Sequence, residues 1–246
     1  MSVFHFKRFD VTNERSAMKV NTDGVLLGAA MTVASEDRRL LDVGTGTGTI
    51  ALMAAQRTHA VVDSSYHTEI YIDAIDLDGA SASEAALNFQ NSPWAGSLTA
   101  HHCSLEEFAA GCDAKYDLIF SNPPYFDSSL HAPQQRRSDA RHTSTGLSYR
   151  ELLEFASSRL TENGRIAMVL PADTEMQLCR HARMCGLHLS RILRIKTVPR
   201  KEPVRIIAEF SRTRCENPHD GILTIQNEGK YTQEYLSLTH DFYLFA

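Results

Sequence analysis

The chain has 246 residues, of which 43% are hydrophobic and 22% charged, a composition that is ordinary for a soluble globular protein. It contains no run of 18 apolar residues and no apolar leader core, so neither a transmembrane helix nor a signal peptide is expected. Five scattered cysteines without a CxxC pair argue against a disulfide framework and a cysteine zinc site, so we expect no metal and a cytoplasmic location. The net charge of −5 argues against a wholly basic nucleic-acid binder.

Strand and helix patterns alternate along the chain from Arg39 onward. Strands are predicted at 39–43, 70–76, 98–102, 116–121 and 164–170, and helices at 49–57, from 81 to 88 or beyond, from 148, and from about 173 to 186. Ser81-Ala-Ser-Glu84 and Ser148-Tyr-Arg-Glu151 are predicted capping boxes. Two more strands, at about 188–197 and 204–211, are joined by a short link and are predicted to form an antiparallel hairpin.

This alternation predicts an α/β, doubly wound sheet of seven strands that is mostly parallel, with an antiparallel C-terminal hairpin. We expect one domain over 1–246, with an N-terminal segment at 1–38, a core at 39–212 and a C-terminal segment at 213–246. Such sheets bind ligands beyond the carboxyl ends of their strands, at the switch in strand order.

The first strand leads into Leu41-Asp-Val-Gly-Thr-Gly-Thr-Gly48, where three alternating glycines allow a tight turn and close approach of a ligand. A dinucleotide fingerprint needs a glycine at the position that Thr49 occupies. Asp42 suits a ligand with an ammonium or sulfonium group better than a pyrophosphate. A plain glycine-rich turn is the alternative.

Ile75-Asp-Leu-Asp78 follows the second strand. A carboxylate at this strand end can accept both hydroxyls of a ribose, and Asp76 is better placed for it than Asp78. Asp78 is the candidate cap of the following helix. Two solvated turn aspartates are the alternative interpretation.

Ser121-Asn-Pro-Pro-Tyr-Phe126 directly follows an apolar strand. The Asn122 amide oxygen and the Pro123 carbonyl can accept hydrogen bonds from one planar NH₂ group, held by the stiff turn that Pro124 completes. Tyr125 can stack on the ring that bears that group. The alternative is a proline-terminated strand in which Asn122 caps a turn.

Basic residues concentrate between Met176 and Arg214, a stretch that contains ten basic and only two acidic residues. This excess favours RNA phosphates over a solvated face. The segment 127–147 lacks periodicity, contains Arg136, Arg137 and Arg141, and is a candidate functional loop. Near the C-terminus, Phe242, Tyr243 and Phe245 are expected to anchor the chain in the core rather than to stack on bases.

The three motifs together resemble the class I S-adenosylmethionine-dependent methyltransferases with an Asn-Pro-Pro-Tyr signature, which have a Rossmann-like sheet and methylate planar amines or amides. Three further segments resemble one branch, the bacterial tRNA adenine-N6 methyltransferases that act on position 37 of a valine tRNA. They are Ala17-Met-Lys-Val-Asn-Thr-Asp-Gly-Val-Leu-Leu-Gly28, Lys201-Glu-Pro-Val-Arg205 and Tyr231-Thr-Gln-Glu-Tyr-Leu-Ser-Leu-Thr-His-Asp-Phe-Tyr-Leu244.

This resemblance implies S-adenosylmethionine as the cofactor. It implies roles for residues that match the family motifs: Gly44, Gly46 and Gly48 under the methionine part, Asp42 in ordering that loop, Asp76 on the ribose, and Asn122, Pro123, Pro124 and Tyr125 in the catalytic turn. His102-Cys-Ser-Leu105 stands where many adenine methyltransferases have an aspartate, so Ser104 is expected to make only a weak contact with the cofactor adenine.

The expected partner is the anticodon stem-loop of a tRNA, with no membrane and no obligate protein partner. Candidate RNA-binding residues are Arg136, Arg137, Arg141, Arg200, Lys201 and Arg205. The alternatives are methylation of a ribosomal RNA base, a DNA base or a release-factor glutamine. From another class, a nicotinamide-dependent oxidoreductase and a non-catalytic nucleotide-binding module are disfavoured by Thr49 and by the Asn122 turn, respectively.

Overall fold

The computed structural model describes residues 2–61, 69–124 and 147–246. Its helices are α1 Thr22–Ala30, α2 Thr49–Val61, α3 Gly79–Gln90, α4 Leu105–Gly111, α5 Tyr149–Arg159, α6 Glu175–Met184 and α7 Gln233–Thr239. Its strands are β1 Val3–His5, β2 Asp10–Thr12, β3 Arg39–Val43, β4 Tyr71–Asp76, β5 Leu98–His102, β6 Tyr116–Ser121, β7 Leu160–Pro171, β8 His188–Lys196, β9 Arg205–Ser211, β10 His219–Thr224, β11 Gln226–Asn227 and β12 Lys230–Tyr231. In these described ranges no helix has the length and apolar character needed to cross a bilayer.

The central sheet has the strand order β10-β8-β9-β7-β6-β3-β4-β5. Neighbouring strands are parallel except at β9, which runs antiparallel to both β7 and β8. The predicted α/β sheet with an antiparallel hairpin is therefore confirmed. The strand order switches between β3 and β6, so the glycine turn after β3 and the proline turn after β6 begin side by side.

The sheet has eight described strands rather than the seven that the sequence predicted. The additional strand, β10, lies at the edge beside β8 and has a mostly polar sequence in which only Leu223 is buried. Its position depends on pairing with β8, and its residues carry no clear alternation of their own.

Apolar side chains cover both faces of the sheet. On one face, α1, α2, α3 and α7 pack with the β1–β2 hairpin, through residues that include Leu26, Met53 and Phe89. On the other face, α5 and α6 pack through residues that include Leu153 and Leu178, and α4 adds partly buried side chains. The carboxyl edge of the sheet stays outside both layers, and this is where the predicted ligand motifs lie.

Two arginines from distant elements bind the end of α1, which has no basic residue in its own last turn. Arg57 of α2 donates hydrogen bonds to two carbonyls at this end, at 3.0 and 2.6 Å. Arg191 of β8 donates to a third carbonyl at 2.7 Å and pairs at 2.7 Å with Glu209 of β9, whose side chain is almost fully buried. These contacts satisfy helix-terminal carbonyls that otherwise lack partners.

The segment 13–21, here called the N-terminal strap, is tied to α3 by a buried carboxylate. Glu84 accepts backbone N–H groups from Glu14, Arg15 and Ser16 at 2.7, 2.8 and 2.9 Å. The predicted capping box Ser81–Glu84 is therefore wrong, because Glu84 binds the strap instead of its own helix. The helix begins one turn earlier, where Asp78 accepts the N–H of Ser81 at 2.9 Å.

The second predicted capping box is confirmed. The Ser148 side chain accepts the backbone N–H of Glu151, and the Glu151 carboxylate accepts that of Ser148, at the start of α5. The residue pattern is the same at both places, so what differs is the partner. Glu151 is exposed and binds its own helix start, whereas Glu84 is buried and meets three N–H donors of the strap.

Candidate active site

The glycine turn after β3 has the shape that its three glycines predict. Gly44, Gly46 and Gly48 have φ values of 75°, 57° and 80°, in the left-handed region that side chains with a Cβ avoid. A Cβ on Gly48 would lie 2.5 Å from the Phe89 ring, whereas among the described residues one on Gly44 would meet only Leu147, at 3.5 Å. The turn is therefore closed on its helix side and open beside Gly44, where a ligand can lie against the backbone.

Asp42 lies fully buried under this turn. The Thr45 hydroxyl donates to its Oδ2 at 2.7 Å, and Oδ1 has no hydrogen-bond partner within the described part of the chain. Burial, with a smaller contribution from the charge of Asp76, raises the pKa of Asp42 to about 7. An orphaned buried carboxyl oxygen beside an open turn is a feature that a bound water or a cationic ligand group would satisfy.

Asp76, at the end of β4, accepts the N–H of Gly46 at 2.8 Å and that of Asp78 at 2.9 Å. Burial raises its pKa, although these two donors act in the opposite direction. Counting only contacts from the described residues, each carboxylate oxygen retains a free lone pair, which leaves the capacity to accept two ribose hydroxyls. Asp78 forms the cap of α3, as the sequence suggested, so its carboxylate is already used.

Leu77 lies between these two aspartates, and no motif in the sequence marks it as a site residue. Its side chain is 57% exposed, directly after the ribose candidate Asp76. An exposed apolar side chain beside a ribose carboxylate offers a surface on which the flat ring of a nucleoside can pack. The signal was its apolar character within an otherwise acidic strand end.

Ser104 is placed at the end of β5 and caps α4. Its hydroxyl accepts a hydrogen bond from the backbone N–H of Glu107 at 3.1 Å. The Glu107 carboxylate in turn accepts one from the backbone N–H of Ser104 at 2.8 Å. The hydroxyl thus has a structural partner, and its weak contact with the cofactor adenine stays a prediction. His102 lies nearby, with its ring 3.0 Å from the position of a Cβ on Gly79.

The proline turn after β6 is fixed to the end of β3. The Ser121 hydroxyl donates to the Val43 carbonyl at 2.7 Å, which places Asn122 beside the glycine turn. Asn122 is only 6% exposed, and Pro123 is buried while Pro124 is exposed. Tyr125 lies outside the described residues, so its stacking role stays a prediction.

Met18 of the N-terminal strap reaches the same place. Its sulfur lies 3.7 Å from Nδ2 of Asn122, and its carbonyl lies 3.6 Å from where a Cβ on Gly46 would be. The strap therefore borders both the glycine turn and the proline turn. No local motif around Met18 indicates this, because the contact depends on the fixation of the strap by Glu84.

The basic stretch 176–214 does not form one free cationic face. Arg191 pairs with Glu209, and Arg194 pairs with both Glu175 and Asp220. Arg205, a predicted RNA-binding residue, has its Nε 2.8 Å from a carboxylate oxygen of Asp23 in α1. Arg200 and Lys201 are exposed in the loop between β8 and β9.

The remaining candidate RNA-binding residues, Arg136, Arg137 and Arg141, lie outside the described residues. The RNA-binding roles of all six candidates stay predictions. The ion pair of Arg205 means that any phosphate contact there would compete with Asp23.

The strand order, the glycine turn and the acidic end of β4 define a class I methyltransferase fold. A crystal structure of a protein described as a predicted O-methyltransferase from Agrobacterium tumefaciens has a TM-score of 0.63 at 15% identity, covering 89% of this chain and 96% of that one. A crystal structure of a Listeria monocytogenes protein, described as that of a class I S-adenosylmethionine-dependent methyltransferase not yet established as such, has a TM-score of 0.56 at 12% identity, covering 82% of this chain and 62% of that one.

The family model of the methyltransferase small domain matches residues 15–184. A relative from Parabacteroides distasonis is 42% identical over 98% of this chain and 97% of its own length, and one from Flavobacterium psychrophilum is 39% identical over 98% and 99%. Both are named tRNA1(Val) (adenine(37)-N6)-methyltransferase. The chain belongs to the methyltransferase small domain family, in the group formed with these relatives.

Membership of this family identifies the protein as an S-adenosylmethionine-dependent methyltransferase. The residues fit that cofactor. The turn is open beside Gly44, Asp76 has acceptor capacity left for a ribose, and the orphaned oxygen of Asp42 lies beneath the turn. Asn122 stands next to the turn, on the side of the β6 end.

Proposed function

We propose that the protein methylates the N6 amino group of adenosine 37 in a valine tRNA. The names of its full-length relatives support this substrate. The observation that carries the chemistry is the position of Asn122, whose strand end is bound to that of β3 directly beside the glycine turn. A planar amine held there would face the donor.

The cofactor supplies an activated methyl group on its sulfonium, so the protein's task is to position and to stabilise charge. The lone pair of an exocyclic amine is delocalised into its ring, which makes the nitrogen a poor nucleophile. The Asn122 amide oxygen and the Pro123 carbonyl accept the two N–H bonds of that amine. These contacts favour a pyramidal nitrogen and stabilise the positive charge that grows on it.

The target base has to leave its stack to reach Asn122. This step costs little in an anticodon loop, because its bases are not paired in a duplex. Tyr125 stacks on the extruded base in this proposal. In this proposal the anticodon stem-loop is a sufficient substrate, and no protein partner is required. The enzyme works in the cytoplasm, where tRNA is modified.

The test is methyl transfer to a pool of unmodified tRNA, followed by nucleoside analysis. N6-methyladenosine in a valine tRNA, lost when its position 37 is changed to another base, is the expected result. The same methyl-transfer assay with ribosomal RNA, DNA or a release factor as the acceptor tests the alternative substrates. Methyl incorporation into one of these, with none in tRNA, would overturn the proposal while leaving the methyltransferase fold intact.

A further inference from the structure

Two exposed aromatic rings lie together near the C-terminus. Tyr231 of β12 and Phe245 have ring centroids 5.4 Å apart and planes inclined by only 15°, and they are 42% and 57% exposed. Tyr231 also stacks on Tyr235, at 4.9 Å, and Phe245 on Tyr243, at 4.7 Å. Because Tyr235 and Tyr243 are buried, they fix the orientation of the exposed pair. The sequence predicts that Phe242, Tyr243 and Phe245 all anchor the C-terminus, and for Phe245 this is wrong, because of these three only Phe242 and Tyr243 are buried.

This aromatic pair belongs to the same edge of the sheet as the proline turn. β10 and β8 run parallel to each other, and β8 has the direction of β6, so all three strands end at the carboxyl edge. Backbone hydrogen bonds of 2.9 Å to the Lys196 carbonyl and 3.0 Å to the Thr197 carbonyl join the start of the β11–β12 hairpin to the loop between β8 and β9. In the sheet, β8 is three strands away from β6 and β10 is four strands away. At the usual spacing of neighbouring strands, the distance from β6 is about 14 Å to β8 and about 19 Å to β10.

The loop beside the aromatic pair is cationic. From Lys196 to Val204 it has three basic residues and one acidic residue, and Arg200 and Lys201 are exposed. Lys230 is exposed next to Tyr231 on the hairpin. Basic side chains that can meet phosphates, next to flat rings on which bases or riboses can stack, are the combination by which proteins hold single-stranded RNA.

We propose that Tyr231 and Phe245, together with Arg200 and Lys201, form an RNA-contacting surface that holds the tRNA substrate outside the reaction site. This inference rests on the proposed function and adds to it a second point of contact with the substrate. The rings stack on an unpaired nucleotide of the anticodon arm while its phosphates meet the loop. A second copy of the chain is the competing occupant, but the unbalanced cations of the loop favour a polyanion.

The experiment measures the affinity of the full chain for an unmodified valine tRNA transcript, with the variants Tyr231→Ala and Phe245→Ala. Each is expected to weaken binding about tenfold, the loss typical of one aromatic stacking contact. Affinity for S-adenosylhomocysteine and the rate at saturating tRNA should stay at the wild-type values, because neither residue touches the reaction site. Tyr71→Ala is the matched control, since Tyr71 is 50% exposed at the beginning of β4, on the opposite edge of the sheet.

Tyr231→Phe and Phe245→Tyr keep a ring and should bind tRNA as the wild type does. Wild-type affinity in both alanine variants, or an equal loss in Tyr71→Ala, would overturn the inference and leave the proposed function standing. A shift in oligomeric state with unchanged tRNA affinity would assign the pair to a contact between copies and would also overturn it. A wild-type protein that neither binds nor methylates tRNA would overturn both proposals.

Discussion

At the scale of single residues, the site is built from carboxyl groups that differ in their surroundings. Asp42 is fully buried, and Asp76 is partly buried and accepts two backbone N–H groups. Asp78 caps the N-terminus of α3. The sequence indicated all three and assigned the helix cap to Asp78, which the structure confirms, while the ribose role of Asp76 stays a prediction. It could not show that Asp76 also binds the glycine turn, because that contact joins residues 30 positions apart.

Asp42 should make the stability of the protein decrease as the pH rises. Its pKa of about 7 lies above the unfolded value near 3.8, so the folded state binds the extra proton between these values. The contribution to stability is therefore present at low pH and is lost as pH rises towards 7. Asp42→Asn should remove this dependence, a difference of up to about 3 kcal/mol between pH 5 and 8.

Urea denaturation at several pH values measures this. Glu106→Gln, at an exposed position on α4, is the control and should keep the wild-type pH dependence. An Asp42→Asn profile parallel to that of the wild type would show that Asp42 ionises normally.

Asp76→Ala should weaken binding of S-adenosylhomocysteine by about 10- to 100-fold, or roughly 1.5–3 kcal/mol, because two hydrogen bonds from hydroxyls to a charged acceptor are lost. Asp78→Ala provides the contrast within the same strand end. It should lower stability by about 1 kcal/mol through the lost cap, with little effect on cofactor affinity. Calorimetric titration measures the affinities, and equal values for both variants would remove the ribose role from Asp76.

Asn122→Ala should reduce single-turnover methylation of an anticodon stem-loop about 10²–10³-fold while S-adenosylmethionine binding persists. Its amide oxygen interacts more strongly with the amine as positive charge develops, so the loss falls on the rate. Asn91→Ala, at an exposed asparagine at the end of α3, is the matched control. A nearly wild-type rate for Asn122→Ala would contradict the proposed mechanism.

At the scale of elements, the sequence predicted the strands and helices whose own apolar runs and end residues mark them. β3, β5 and β6 have the bounds predicted from their apolar runs, and Gly186 ends the α6 region with a φ of 73°. The sequence missed the helices α1, α4 and α7, the hairpins β1–β2 and β11–β12, and the edge strand β10. Helix α4 has only seven residues, and β10 is defined by pairing with β8, so tertiary contacts decide both.

The strap depends on a single side chain of α3. Glu84→Gln replaces a carboxylate that accepts three N–H groups with an amide that has one acceptor oxygen, and we expect a loss of about 2 kcal/mol in stability. The amides of Glu14, Arg15 and Ser16 should exchange with solvent faster in this variant. Hydrogen exchange measured by NMR tests it, with Ser83→Ala, an exposed position one residue away on α3, as the control.

The contribution of Glu84 to stability should also depend on pH. Burial alone would raise the pKa of Glu84, but its three N–H donors outweigh this and lower it. Its contribution to stability is therefore present above the unfolded pKa and is lost as the pH falls through the lower folded value. Unchanged amide exchange in Glu84→Gln would mean that other contacts hold the strap.

At the scale of the whole molecule, the sequence predicted the sheet, the ligand edge and the motifs on it, because all of these follow from strand periodicity and turn chemistry. It overestimated the free charge of the basic stretch. Arg191 and Arg194 meet carboxylates from Glu209, Glu175 and Asp220, and a count of charges along the chain cannot show such pairing. The contact of Met18 with Asn122, across more than a hundred residues, was equally hidden.

The remaining exposed cations of the β8–β9 loop give a prediction for the whole complex. Replacing Arg200 and Lys201 by glutamine should weaken tRNA binding and make its salt dependence shallower, by a slope of about 2 if each contacts one phosphate. Affinity for S-adenosylhomocysteine should not change. Binding measured over a range of salt concentrations tests this, with Arg180→Gln and Arg183→Gln on α6 as a charge-matched control.

If the two double variants lose affinity and slope equally, the loop has no special role in RNA binding. If neither loses any, the tRNA is held through other cations.

The early and late parts of the chain bind each other directly. The Lys7 N–H donates to the Phe242 carbonyl at 2.8 Å, and the Phe4 and Tyr243 rings are 6.2 Å apart. Contacts of such large sequence separation form slowly, since the intervening chain has to be ordered before they are gained. On the ribosome, the β1–β2 hairpin is made first, and the contacts of Phe4 and Phe6 with Tyr243 cannot form until the end of the chain has been made. Folding of this enzyme is therefore completed only after translation has passed residue 243.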